Sequence, residues 1–565
     1  MIRKFSELPY SRPDGERFCS AFSELAKRMD AAETLDEARS IIDEAQKLEA
    51  EIDTLQNIAS IRHTIDTRDP FYEKEQEYFD NLAPLLEEKR NELNHALLHS
   101  PLRRELEQEY GEIWFKNMEM AEKAFSPAII PLMQEENSLC SKYQKLYANA
   151  QIPFEGKTCT IAQLVPYKMS PDRDIRRRAY EAEGRFFDEH QEEFDSLFDQ
   201  LVKNRTAQAK ALGYRDFVEL GYLRRQRNCY GPEGGANFRR QVVEEIVPIA
   251  SEIKAAQARR IGVTDFKFWD DLFCFPDGNA APEGSKEEIM EAGRKMYTEM
   301  SPETAEFIQL MMDADLFDVE AKEGKAPGGY CTFMEEYKYP FIFSNFNGTS
   351  ADVDVLTHEA GHAFAFYTSA KEGVYPINLR LPTMDGAETH SMSMEFLTAP
   401  WHSLFFGKAT DKYELAHAED ALTFIPYGCM VDHFQEIVYR RPELTPEQRN
   451  AEWAKLNAVY YPYADYADLP FYSRGSSWQW KMHIYLNPFY YVDYCMAQTI
   501  ALQYWIKSLD SWDEAWKTYL AFTKKGGKYS FLELVKSAGL LSPLEDGTLK
   551  VICSRVREWL KEHQL

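Results

Sequence analysis

Two imidazoles and a carboxyl group fall within five residues at His358-Glu359-Ala360-Gly361-His362. The surrounding residues, 352–364, have helical character, and residues four apart on a helix share a face. His358 and His362 can therefore present two nitrogens to one metal ion. Glu359 lies one position on, about 100° around the helix, where it can reach a water on the metal without being a ligand. The chemistry this predicts is metal-assisted hydrolysis. With twelve histidines in the chain, chance would give the pattern about twice in a hundred such sequences. Gly361 inside a helix costs about 1 kcal/mol relative to Ala, and a second backbone passing close by would explain it.

A catalytic zinc site takes three protein ligands and leaves a position open. Downstream, Asp385-Gly386-Ala387-Glu388-Thr389-His390-Ser391-Met392-Ser393-Met394-Glu395 offers Glu388, His390 and Glu395. On a helix, Glu388 and Glu395 share a face but stand about 10.5 Å apart along the axis, so one ion is not expected to hold both. His390 lies about 200° around from Glu388 and faces away. The residues by themselves leave all three as candidates, with Glu388 modestly ahead.

The elements that must position these groups read mostly as helices. Residues 14–61 and 70–148 are rich in Glu, Lys, Gln, Leu and Ala, with apolar positions every three or four residues. Ser170-Pro171 predicts the start of a further helix, with Ser as N-cap and Pro in the first turn, running to residue 211 and stopped by Gly213. Arg176-Arg177-Arg178, flanked by Asp172, Asp174, Glu181 and Glu183, reads as a run of surface ion pairs. Strand signals are confined to residues 328–346, where aromatic and β-branched residues alternate with turns and predict a small sheet directly before the metal motif. The rest, from residue 350 on, is again helical in pattern.

Composition narrows the partners. A 44% hydrophobic and 14% aromatic chain of 565 residues can build a large core and is not a disordered one. Lys and Arg total 65 against 92 Asp and Glu, a formal net charge of −27. Such a surface repels phosphate backbones and anionic membranes, so neither nucleic acid nor membrane is expected as a partner. No run approaches the roughly 18 apolar residues of a membrane span, and the N-terminus carries no apolar signal core. Nine scattered cysteines without a Cys-x-x-Cys pair suit reduced thiols in a cytoplasmic setting.

The His358-Glu359-x-x-His362 helix, then Glu388, then Glu395 seven residues on, resembles the motif set of the thimet oligopeptidase and oligoendopeptidase F metallopeptidases. Length and the C-terminal motif are most similar to the bacterial oligoendopeptidase F and Pz-peptidase type. The resemblance covers roughly residue 170 to the C-terminus, including Ala211-Leu212-Gly213-Tyr214. It implies a mainly α, two-lobed helical zinc-peptidase fold with a deep substrate channel and one small β-sheet next to the metal helix. Residues 1–169 would form an N-terminal helical lobe and 170–565 the catalytic domain. It also implies one Zn²⁺ per chain on His358, His362 and Glu388, a supporting role for Glu395, and Glu359 as general base on the metal's water.

The family's C-terminal histidine and tyrosine cluster maps to His483-Ile484-Tyr485-Leu486-Asn487-Pro488-Phe489-Tyr490-Tyr491-Val492-Asp493-Tyr494. From it the resemblance implies His483, Tyr491 and Tyr494 as donors to the oxyanion. The spacing from His483 to Tyr494 is one residue shorter than in the thimet-like branch, which leaves Tyr490 unassigned. Substrates would be short unfolded peptides cut internally, aligned on a strand edge within 328–346, by a monomer or weak homo-oligomer. The loop Ser473-Arg474-Gly475-Ser476-Ser477 is either a substrate contact or a plain turn. Two other readings share the zinc logic. One is a carboxypeptidase or dipeptidase in which Arg474 grips a terminal carboxylate; the other is a non-catalytic peptide-binding protein with structural zinc.

Overall fold

The structure, a computed structural model, describes residues 2–563. Its N-terminal part is built from α1 (Gly15–Asp30), α2 (Leu35–Ile65), α3 (Pro70–His99), α4 (Glu112–Lys123) and α5 (Ile130–Ala148). Each start is written in the sequence. Asp14 accepts from the Arg17 N–H, Thr34 and Glu37 form a capping box, and Asp69 caps a helix that opens on Pro70. These helices enclose small apolar cores of their own around Phe22 and Leu97 and around Phe79 and Leu86. Ile58, Ile61, Leu139 and Tyr143 belong instead to the main core, which reaches Leu560.

The helix expected over residues 170–211 is two helices, α6 (Arg173–Glu189) and α7 (Gln191–Ala211). Asp172, not Ser170, is the N-cap, because its carboxylate accepts from the N–H groups of Asp174 and Ile175. The Ser170 and Pro171 carbonyls accept from the Arg176 guanidinium. That arginine is no surface residue: it is buried and pairs with Asp270 at 2.7 Å. Arg177 and Arg178 do pair on the surface, with Glu181 and Asp174. Gly213, with φ of +86°, ends α7 as expected. The short helix α8 (Phe217–Arg224) follows.

Strand is scarce. β1 (Ile152–Phe154) and β2 (Lys157–Cys159) form a hairpin. β3 (Phe317–Glu320), β4 (Tyr330–Met334) and β5 (Tyr339–Phe346) form one sheet in the order β3-β5-β4, with β3 parallel and β4 antiparallel to the central β5. β4 is therefore an edge strand. Helix α9 (Ala351–Lys371) follows the sheet and packs on β5, and α10 (Met384–Leu397) lies between α9 and α12 (Tyr491–Asp510). Helix α11 (Thr410–Arg440) packs against α12 from another side. α10 is buried along almost its whole length although it carries Asp385, Glu388 and His390. Buried polar groups of that kind need partners, and the partners form the site. Among the described residues no helix is long and apolar enough to cross a membrane, and all nine cysteines are free thiols.

Candidate metal centre

One turn of α9 carries His358 and His362 on the same face, toward α10. Their Nε2 atoms stand 3.3 and 3.2 Å from Oε2 of Glu388. The three donor atoms lie within 4.8 Å of one another. α9 and α10 can come this close because residue 361 is glycine. A Cβ there would meet the Ser391 Cα at 2.6 Å and the His390 carbonyl oxygen at 2.7 Å. The close backbone pass expected at Gly361 is α10 itself.

The helix face separates the downstream candidates. Glu388 points at the histidines and is 1% exposed. His390 faces away, with Nδ1 on the Gly386 carbonyl of its own helix and its ring near Phe522. Glu395 reaches the far side of His358, 2.7 Å from Nδ1. An ionised carboxylate only accepts, so Nδ1 carries a proton, and in the neutral ring that a metal ion requires Nε2 is the free nitrogen, facing Glu388. The other Glu395 oxygen lies 2.9 Å from Nε2 of His417, on α11. His417 has no sequence motif around it and was not anticipated.

The electrostatics favour a cation. Burial works against charge on His358, yet Glu388 and Glu395 outweigh it and raise its pKa well above the ordinary histidine value. Burial likewise opposes ionisation of Glu388, but His362 and His358 hold its pKa well below the carboxylate range. Two imidazole nitrogens and one carboxylate oxygen converging at a mostly buried point fit a divalent ion of the zinc type. Glu359 sits beside them, 6% exposed, with Oε2 buried and unpartnered. Burial raises its pKa above the usual glutamate value, which suits a group that must take and return a proton. Gly329, next to edge strand β4, passes so close that a Cβ there would stand 3.3 Å from Glu359 Oε1.

The C-terminal cluster faces the same point from α12. Tyr490, left unassigned in the sequence, donates to Glu388 Oε1, and Ser391 donates to Oε2 at 2.9 Å. The Tyr494 hydroxyl lies 3.4 Å from His483 Nε2, and its ring is 6.5 Å from that of His358. His483 is driven to about 3 by burial and by Lys481, so it is a neutral ring. Tyr491, expected beside Tyr494 at the metal, turns the other way. Its hydroxyl meets Lys481 Nζ at 3.0 Å, and its ring packs on Phe424 and Tyr427. Just before α12, Phe489 takes a left-handed φ of +64°. Arg227 holds its carbonyl and Gln435 accepts its N–H at 3.0 Å. That twist aims Tyr490 rather than Tyr491 at Glu388.

The loop 473–477 is a structural turn. Gly475 packs on the Asn450 carbonyl with φ of +79°, and Ser476 and Ser477 are buried. Arg474 pairs with Asp188 at 2.6 Å and donates to Ser476, so the cation nominated for a terminal carboxylate is already engaged. A second group, His95 and His99 on α3 with Glu122 on α4, also brings three donors together. No sequence signal beyond the four-residue spacing marked it.

The peptidase family M3 pattern matches residues 166–552, and the peptidase M3 N-terminal domain pattern matches residues 5–125. Oligoendopeptidase F of Lactococcus lactis subsp. cremoris is 21% identical over 389 residues, which is 66% of this chain. The chain spans about 60% of the length of that curated relative. Among solved structures, Pz peptidase A with an inhibitor is 46% identical over 100% of both chains, with a TM-score of 0.97. Oligoendopeptidase F of Enterococcus faecium, 16% identical over 97% of each chain, shares the fold with a TM-score of 0.61.

Proposed function

Since the chain belongs to peptidase family M3, we propose that it is a zinc-dependent endopeptidase that hydrolyses internal bonds of short unfolded peptides. One observation carries this reading. His358 and His362 converge on the Glu388 carboxylate, with the buried, unpartnered oxygen of Glu359 beside them. Zinc bound there would polarise the scissile carbonyl and lower the pKa of a water to about 7. Glu359 takes the proton of the attacking water and passes it to the leaving amine. Glu395 fixes the tautomer and orientation of His358, and Tyr490 and Ser391 hold Glu388. Tyr494 and neutral His483 donate to the oxygen on which charge develops. Tyr491 supports them from behind, through Lys481 and the His483 ring.

Edge strand β4 aligns the peptide by backbone pairing, which reads no side chains and permits broad specificity. Residues 1–169 act as the N-terminal lobe and 170–565 as the catalytic domain, with a channel between lobes that admits only unfolded chains. The setting is cytoplasmic, and the assembly a monomer or weak homo-oligomer. Of the carboxypeptidase reading, the one anchor nominated, Arg474, is paired with Asp188.

The test is metal analysis coupled to cleavage of a short quenched peptide blocked at both ends. The account expects one zinc per chain and chelator-sensitive cleavage. Glu359→Gln keeps the zinc and loses about 10²–10⁴-fold in turnover. Unchanged turnover in that variant contradicts the mechanism.

A further inference from the structure

Arg224-Arg225-Gln226-Arg227 leaves α8 beside the tyrosine cluster. Two of its arginines are paired: Arg224 with Glu136 at 2.9 Å, Arg227 with Asp493 at 2.8 Å. Arg225 differs. Among the described residues no carboxylate lies within ion-pair distance of it, and its Nε is buried without a partner. Its guanidinium carbon stands 5.4 Å from the centre of the Tyr490 ring, the same tyrosine that holds Glu388. Its charge reaches His483. Asp493, whose charge reaches Arg225, is already taken by Arg227.

The other cation on this wall shows what accommodation looks like. Lys481 rests on the rings of Trp480, Tyr491 and Tyr427, at 4.3, 4.7 and 5.2 Å, and donates to the Tyr491 hydroxyl. Arg225 has no such set. The residue is half-buried: only its Nε is buried, and the two terminal nitrogens of the fork make no hydrogen bond among the described residues, so they are free to meet a carboxylate. Its planar fork matches a carboxylate, and its place is the wall that faces the metal ligands.

We propose that Arg225 is a specificity residue that grips a carboxylate of the bound peptide. That carboxylate is either the C-terminal one or an Asp or Glu side chain, which offer the same chemistry. This rests on the peptidase reading above.

The test uses zinc-loaded Glu359→Gln protein, which binds peptide without turning it over. It is titrated with one short peptide in three forms: with an Asp and a free C-terminus, with the C-terminus amidated, and with the Asp replaced by Asn. The expected result is about tenfold tighter binding of at least one carboxylate form than of its neutral counterpart. The form affected identifies the source of the carboxylate. Adding Arg225→Gln abolishes that preference, and Arg225→Lys, which keeps the charge but loses the fork, weakens it. Equal binding of all three forms overturns the proposal, as does a preference that survives Arg225→Gln. Should Arg225→Gln fail to fold, the parent titration and Arg225→Lys decide. Wild-type cleavage of a doubly blocked, carboxylate-free peptide tests the peptidase reading by itself. Cleavage there without any carboxylate preference removes Arg225's role alone, whereas no cleavage of any peptide removes the reading.

Discussion

Two histidine pairs in this chain are spaced four apart on a helix and meet a glutamate from a neighbouring helix. His358 and His362 on α9 meet Glu388 on α10, and His95 and His99 on α3 meet Glu122 on α4. The first trio is mostly buried and the second lies at the surface, where the His95 side chain is 61% exposed against 19% for His358. In the buried trio Glu395 takes Nδ1 of His358 and leaves Nε2 facing Glu388. At the surface His95 Nδ1 is itself the atom against Glu122, and His99 Nδ1 bonds its own helix at the His95 carbonyl. The residue after the first histidine is Glu359 in one and Ala96 in the other. Spacing therefore supplies donor atoms, whereas a reactive centre also needs burial, a second carboxylate behind the ring and a base beside it.

The largest effect should come from removing a ligand. Glu388→Ala or His362→Ala is expected to lose the zinc and reduce peptide cleavage to background. His95→Ala or Glu122→Ala should leave both unchanged, as read by metal content and initial rates. A fall in turnover in the surface variants would break the comparison.

Removing the carboxylate behind His358 should be milder. Glu395→Gln is expected to weaken zinc about 10–100-fold, measured by competition with a chromophoric chelator, with the fold intact. The surface trio has no equivalent residue to remove.

The backbone approach is the next test. Gly361→Ala pushes α9 from α10 at Ser391 and should cost about 1–3 kcal/mol in denaturant unfolding, with zinc affinity falling alongside. Position 98, the counterpart in the surface pair, is a buried leucine. Leu98→Ala should cost about 2–5 kcal/mol and leave zinc affinity unchanged.

The smallest effect is in the protons around the buried centre. His390 and His483 are both held at about 3, chiefly by burial, whereas an unfolded histidine titrates near about 6.5. Between those values the unfolded chain binds more protons, so stability is fully present above about pH 6.5 and is lost as pH falls below it. The midpoint of thermal unfolding should show that slope, and His390→Gln should flatten it.

How much of this was legible depends on how local each cause is. His358, Glu359 and His362 are read from one helical turn, and Gly361 within it signals a close backbone. Helix geometry turned His390 away correctly but could not by itself choose Glu388, because the choice depends on α10 being packed between α9 and α12. Tyr490, unassigned in the sequence, meets Glu388 while Tyr491 meets Lys481, for a reason no local pattern carries. The left-handed Phe489 is fixed by Arg227 and Gln435, which are remote in sequence. His417 lies on a third helix, with only its contact to Glu395 to mark it. In the fold, β4 and β5 were legible as aromatic runs, whereas β3 is four residues long and exists because β5 offers it an edge. Arg176 was misplaced because charge spacing reports pairing but not depth.

Anomalous diffraction at the zinc edge, from crystals of the zinc-loaded chain, tests the central claim most directly. The account predicts one strong peak per chain, about 2.0–2.1 Å from the His358 and His362 nitrogens and bound by a Glu388 oxygen. A strong peak at His95, His99 and Glu122 with none between α9 and α10 would contradict it.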